Sequence, residues 1–227
     1  MNAPGRLDRA AFRAARAVAR RRGARPALHP RGVMLAGSLV VPDHRFHWGV
    51  PWLDEPGSYR VTARWSRGAG LPSPLPDGLG LALRVEDAGG PDRPLELLLT
   101  SSGSGRLARH LPVPRTSVTS GPYSTLLSYV VGGGLGVVAA FPLPGPAGTP
   151  GRRAAVGSRP LAFRLGFGTD AGWWPLARLF LLHEETAPGP YAFDPYENFL
   201  PGFRPVDRLR SLRVAAYAGS RAGRCAG

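Results

Sequence analysis

Residues 59–66 read YRVTARWS, and polar and apolar side chains alternate along the stretch. A period of two residues is that of a β-strand with one face on an apolar core and the other on polar groups. The polar positions are Arg60, Thr62, Arg64 and Ser66, and the apolar ones are Val61, Ala63 and Trp65. This stretch therefore predicts a strand in a sheet that covers a core.

Similar runs lie on both sides of this stretch, each rich in valine, leucine, alanine or aromatic residues. Glycine or proline marks their ends, and the chain has 31 glycines and 25 prolines, a composition that favours strands and turns over long helices. We predict strands at 32–41, 59–66, 79–85, 95–101, 135–143, 161–168 and 178–183. Because most of them are adjacent in the chain, we expect a closed antiparallel β-barrel of about eight strands.

The chain has 227 residues, of which 43% are hydrophobic, so that one packed domain is expected. We predict a single domain, 1–227, with an amphipathic helix at 1–24, the barrel at 25–187 and a C-terminal segment with a helix at 188–227. Residues 116–151 carry no charge, but glycines and prolines break the run. There we expect a short helix, a glycine break and a buried strand, and no integral membrane segment.

The net charge of +14 comes from arginine, since the sequence contains no lysine. Total exclusion of lysine points to a genome rich in G and C, so we do not expect nucleic acid to be a partner. The single cysteine, Cys225, excludes a disulfide within the chain. With no apolar run typical of a secretory signal at the N-terminus, we expect a cytoplasmic protein. Whether it forms a homo-oligomer is left open.

The most specific motif lies near the C-terminus. It reads AFDP at 192–195 and NFLPG at 198–202, followed by Arg213, Tyr217 and Arg224. This order and spacing resemble the segment of haem catalases that leads into the helix with the proximal tyrosine. The resemblance implies a catalase-type α+β fold with peripheral helices, and haem b as the cofactor. It further implies Tyr217 as the iron ligand, with Arg213 and Arg224 near the haem.

Three N-terminal stretches resemble the same family in the same order: HPRG at 29–32, ARWS at 63–66 and DGLGLALR at 77–84. The resemblance implies that His29 stands over the distal side of the haem. Arg64 would contact a propionate, and Ser66 would orient the histidine. Arg25 is a further candidate for a propionate contact.

Elementary chemistry agrees with these roles. Tyrosine ligates haem iron as a phenolate, and a free phenol has a pKa of about 10. Arg213 lies four residues before Tyr217, which is one turn of a helix, and its positive charge favours the phenolate. A neutral His29 can take a proton from a peroxide and return it at pH 7.

Two positions depart from the family pattern. Pro26 stands where an arginine is usual, and Ser101 stands where the resemblance expects the distal asparagine. A serine hydroxyl can hydrogen-bond to peroxide but lacks the paired donors of an amide. We therefore expect an oxidoreductase that acts on hydrogen peroxide or organic hydroperoxides with a small-molecule reductant, as a peroxidase with weak catalase activity.

Two other functions are open. One is a non-catalytic haem-binding protein, which Pro26 and Ser101 favour. The other is a hydrolase or a metal-dependent phosphodiesterase. Residues 100–105, TSSGSG, end a strand in small residues but do not fit the Gly-x-Ser-x-Gly pattern. His44 and His47, after Asp43, form a weak metal-binding pattern.

Overall fold

The computed structural model describes residues 31–144, 160–184 and 192–206. Within this part, residues Arg31–Pro205 form one compact unit. Its strands are β1 (Arg31–Val41), β2 (Gly57–Arg67), β3 (Leu79–Val85), β4 (Leu95–Ser101), β5 (Tyr123–Ser124), β6 (Tyr129–Val131), β7 (Gly134–Pro142), β8 (Leu161–Thr169), β9 (Gly172–Glu184) and β10 (Phe203–Pro205).

Eight of these strands close into an antiparallel barrel. Each pairs with the next in the order β7-β5-β4-β3-β2-β1-β9-β8, and β8 pairs again with β7 to complete the ring. The remaining two, β6 and β10, extend the sheet beside β7, where β10 pairs with β6 and β6 pairs with β7. The barrel expected from the sequence is thus confirmed.

Alternation along the strands divides the wall into an interior and an outer face. Side chains two residues apart share a face, and residues paired across strands share it too. The interior side chains form the core, and each of the following is at most 2% exposed: Leu35, Leu39, Val61, Ala63, Leu81, Leu83, Leu97, Leu99, Phe163, Leu165, Leu179 and Leu181. The alternation in residues 59–66 reflects this arrangement, because the apolar side chains of the stretch face the interior and the polar ones face outward.

All seven predicted strands are present, but the expectation for residues 116–131 is wrong. No helix forms there, and the chain makes the short strands β5 and β6. A two-residue turn at Gly132 and Gly133 joins β6 to β7, with Val131 paired to Gly134. Gly132 has a φ of 56°, and a Cβ there would lie 1.9 Å from the Trp48 carbonyl oxygen. Glycine makes this hairpin possible because it tolerates both the backbone angle and the close approach.

In the described ranges the only helical elements are α1 (Pro51–Asp54) and a 3-10 turn at Ala108–His110. The helix at 1–24 and the C-terminal helix lie outside the described residues, so they stay predictions, as does the division at 24/25 and 187/188. No described helix has the length and apolar character needed to cross a lipid bilayer.

Candidate functional site

A row of small side chains crosses the outer face of the barrel where β1 to β4 lie side by side. Gly32 pairs with Ser66, Ser66 with Gly80, and Gly80 with Thr100. Since paired residues share a face, the hydroxyls of Ser66 and Thr100 lie on the same side of the wall. Their strands are two spacings apart, which separates their Cα atoms by about 10 Å. Glycine at position 80 leaves no side chain on the wall between them.

The neighbouring row on this face consists of Met34, Arg64, Ala82 and Leu98. We call the eight residues of the two rows the outer wall. Met34, Ala82 and Leu98 are half-buried. The outer wall is therefore a largely apolar surface that carries one cation, Arg64, and two hydroxyls, those of Ser66 and Thr100.

Arg64 is the cation of the outer wall. Its guanidinium crosses over Gly32, since a Cβ at that glycine would lie 2.7 Å from the Arg64 Cζ atom. Burial lowers the pKa of Arg64 from its ordinary value. A guanidinium is so strongly basic that the group still stays charged at neutral pH. A half-buried guanidinium is a good partner for a carboxylate, so Arg64 suits the propionate contact that the sequence implies.

Ser66 is 4% exposed and lies two residues after Arg64 on the same face. A serine hydroxyl donates one hydrogen bond and accepts others. The structure therefore brings together on one face the two outer-wall residues, Arg64 and Ser66, that the sequence assigns to the site.

Ser101 does not share this face. It directs its side chain to the barrel interior, where it is fully buried. Its Oγ accepts a hydrogen bond from the Leu79 N–H (2.9 Å) and donates one to the Val113 carbonyl oxygen (2.8 Å). Because consecutive residues of a strand point to opposite faces, Thr100 is the β4 hydroxyl beside Ser66. Ser101, the candidate from the sequence, is thus one position away from the β4 hydroxyl that shares the face of Ser66.

Five further candidates lie outside the described residues: Arg25, His29, Arg213, Tyr217 and Arg224. Their roles stay predictions from the sequence. The fit of haem can thus be judged only from Arg64 and Ser66, which lie on the outer wall and suit the group, and from Ser101, which faces the interior and does not.

The first part of the C-terminal motif lies against the outer face of β3 and β4. Asp194 donates its backbone N–H to the buried Glu96 carboxylate (2.5 Å), and Glu96 forms an ion pair with Arg84 (2.7 Å). Glu96 precedes Leu98 and Thr100 on the same face of β4. Sequence reasoning assigned no role to Glu96 or Arg84. An acidic residue inside the apolar run LELLL was the signal that could have marked Glu96 as a buried carboxylate in need of partners, although it does not identify Asp194 as one of them.

The residues considered for other chemistry have hydrogen-bond or ion-pair partners among the described residues. His44 Nε2 lies 2.9 Å from the Leu176 carbonyl oxygen, and His47 Nδ1 lies 2.9 Å from Asp54 Oδ2. The Ser102 hydroxyl is buried and donates to the Gly103 carbonyl oxygen. Among residues 31–144, 160–184 and 192–206, no group of three or more His, Cys, Asp or Glu side chains is arranged to hold a metal ion.

No protein-family model matches the sequence, and no curated protein matches it. Among solved structures, a fungal catalase is similar in fold, with a TM-score of 0.58 and 11% sequence identity. The match covers 87% of this chain and 58% of the fungal protein, so the chain spans less than two thirds of that catalase. At this identity the likeness concerns the fold alone: the chain has a catalase-like barrel.

Proposed function

We propose that this protein binds haem b through Tyr217 and acts on hydrogen peroxide or organic hydroperoxides as a peroxidase with weak catalase activity. One observation carries the proposal: a chain with the barrel fold of a catalase also contains the Phe193-to-Tyr217 motif in the family order. The fold alone does not imply the activity. The motif supplies the residues that the chemistry needs.

Bound ferric haem would supply the redox chemistry on the peroxide. In this proposal, His29 takes a proton from one peroxide oxygen and returns it to the departing oxygen. Ser66 holds the imidazole in one tautomer, and Arg64 binds a propionate through a charge-assisted hydrogen bond. Arg213 favours the ionised form of Tyr217. A small-molecule reductant completes the cycle.

Thr100 replaces Ser101 as the candidate for hydrogen bonding to the peroxide, because it shares the face of Ser66. A hydroxyl provides a single donor, which supports peroxidase activity over disproportionation of hydrogen peroxide. The apolar outer wall around it also suits an organic hydroperoxide. We further propose that the protein works in the cytoplasm, without nucleic acid as a partner.

A haem titration tests the proposal. We expect the parent protein to take up one haem with a Soret band, and Tyr217→Phe to bind haem at least about tenfold more weakly because the phenolate ligand is lost. Tyr59→Phe is the matched control, since Tyr59 makes only a long 3.5 Å hydrogen bond to the Trp52 carbonyl oxygen. Absence of haem uptake by the parent would refute the function. Unchanged binding by Tyr217→Phe would refute the ligand assignment.

A haem protein without turnover is the second candidate. The interior position of Ser101 favours it, since this candidate for a hydrogen bond to the peroxide is bonded to Leu79 and Val113 instead. Oxidation of a peroxidase dye by the haem-loaded protein and hydrogen peroxide separates the two functions. Dye oxidation that is lost in His29→Ala supports the enzyme, and no dye oxidation supports the carrier.

A further inference from the structure

Glu96 carries a fully buried carboxylate on the outer face of the barrel, and both of its oxygens are engaged. Oε1 lies 2.7 Å from Arg84 Nη1, and Oε2 accepts the Asp194 backbone N–H. Arg84 is also paired through Nε with Glu86 (3.1 Å). A buried carboxylate is retained only where a cation and hydrogen-bond donors compensate for lost water. Here one of those donors belongs to the C-terminal segment.

The backbone strengthens this attachment. The Glu96 N–H donates to the Asn198 carbonyl oxygen (2.8 Å). Within the segment, the Asp194 carbonyl oxygen accepts from the N–H groups of Glu197 (3.1 Å) and Asn198 (3.0 Å), and Asp194 Oδ1 accepts the Tyr196 N–H (3.0 Å). Residues 194–198 thus form a hydrogen-bonded turn that is attached to β4 at two points.

The C-terminal segment, of which the structure describes residues 192–206, makes a second set of contacts with the barrel at residues 200–205. Its strand β10 pairs with β6, and the Gly132 N–H donates to the Gly202 carbonyl oxygen (2.7 Å). Leu200 is buried against Gly89, where a Cβ would lie 2.5 Å from the leucine Cδ2 atom. Residues 192–205 therefore follow one defined path over the barrel, and Tyr217 comes twelve residues after Pro205 in the sequence.

We propose that Glu96 is a positioning residue for haem binding: its ion pair with Arg84 and its bond to Asp194 fix the segment that leads to Tyr217. This inference rests on the proposed haem function. Glu96 does not contact the cofactor in this scheme. It acts through the backbone of residues 194–198, so that its loss weakens haem binding without removing any ligand.

The test compares Glu96→Gln with Glu86→Gln. Both variants remove one carboxylate partner of Arg84, but only Glu96 contacts the segment. In Glu96→Gln we expect hydrogen exchange of residues 194–198 to rise about tenfold, haem to bind about tenfold more weakly, and the Soret band to shift. In Glu86→Gln each quantity should stay within about twofold of the parent.

A second pair of variants covers the case in which Glu96→Gln fails to fold. Arg84 is partly exposed, with 27% of its side chain accessible, so its replacement is milder. Arg84→Gln should reproduce the effects expected of Glu96→Gln, and Arg84→Lys, which keeps the charge, should restore haem affinity to within about threefold of the parent.

The outcomes are distinguishable. If exchange rises in Glu96→Gln while haem affinity and the Soret band stay at parent values, the positioning role is wrong and the haem function stands. If exchange of residues 194–198 does not change in either Glu96→Gln or Arg84→Gln, the ion pair does not hold the segment and the inference is wrong. If the parent binds no haem, the proposed function fails and the positioning role falls with it, although the exchange data still show whether Glu96 holds the segment.

Discussion

Thr100 and Ser101 are neighbours in β4, and strand alternation gives their hydroxyls opposite surroundings. The buried Ser101 hydroxyl makes two hydrogen bonds, one with Leu79 at the start of β3 and one with Val113 in the loop that follows β4. Thr100 lies on the outer wall with Ser66. A shift of one position in an aligned strand moves a side chain to the other face, so that similar residue types have different roles here.

This difference predicts a separation of stability from activity. Ser101→Ala removes the partner of a backbone N–H and of a carbonyl oxygen, and we expect the free energy of unfolding to fall by about 1–3 kcal/mol. Thr100→Val keeps the side-chain shape, and we expect a change of about 0.5 kcal/mol or less. Urea denaturation measures both. In haem-loaded protein, peroxide turnover should fall in Thr100→Val more than in Ser101→Ala, and the reverse order would contradict our placement of the site.

At the scale of elements, the seven long strands could be predicted because their alternation and their glycine or proline ends are local signals. The strand β5 has two residues, too few for a period to show. Residues 129–131 belong to an apolar run that periodicity cannot assign to helix or strand. The Gly132-Gly133 pair between two apolar runs was the available sign of a hairpin, since such pairs suit two-residue turns.

The Glu96–Asp194 contact could not have been predicted in this way. Its partners are 98 residues apart in sequence. The residue pattern of a strand does not indicate which distant segment of the chain will pack on its outer face. For the outer wall, the sequence motifs pointed to Arg64 and Ser66 as candidates, while the register of β4 was needed to place Thr100 on the same face.

Closure of the barrel depends on the contact between β1 and β9. The register shifts between Ala36 and Gly37, and a Cβ at Gly37 would lie 2.0 Å from the Phe180 carbonyl oxygen. We expect Gly37→Ala to push the two strands apart and to lower the free energy of unfolding by about 3 kcal/mol. Thermal or urea denaturation measures this loss.

Gly78→Ala is the control for Gly37→Ala, because a Cβ at Gly78 meets no atom within 4 Å. Its stability should stay within about 1 kcal/mol of the parent. Equal losses in the two variants would mean that a clash between a Cβ at position 37 and the Phe180 carbonyl oxygen does not cause the loss of stability in Gly37→Ala.

For the whole molecule, buried aspartates make stability depend on pH. Burial opposes ionisation of Asp77, but hydrogen bonds from the N–H groups of Ala69 (2.9 Å) and Leu71 (3.0 Å) and the charge of Arg67 together lower its pKa below the ordinary value. A lowered pKa in the folded state means that the stabilisation is complete above pH of about 4, the unfolded value, and is lost as the pH falls through the folded pKa. Asp54 has a lowered pKa for similar reasons, since it accepts the N–H groups of Trp48 and Val50.

We therefore expect Asp77→Asn to lower the free energy of unfolding at pH 7 by about 1–3 kcal/mol. The difference from the parent should shrink as the pH falls below about 4, where Asp77 takes up a proton in the unfolded parent, and should be lost as the pH falls through the lower folded pKa. Urea denaturation at a series of pH values measures this. Asp170→Asn is the control, since the Asp170 side chain is 79% exposed and its loss should change stability little. A difference that stays constant from pH 7 to 3 would show that the Asp77 charge does not contribute.

The pairing of β1 with β9 joins the first described strand to residues 172–184. During synthesis on the ribosome, β1 and β2 can form a hairpin early, but the free edge of β1 finds its partner only after β9 has left the exit tunnel. Contacts of such long sequence separation slow folding, and an open strand edge invites pairing with other chains in the meantime. A truncated product that ends before β9 would thus keep that edge uncovered, which makes premature termination a direct route to aggregation for this chain.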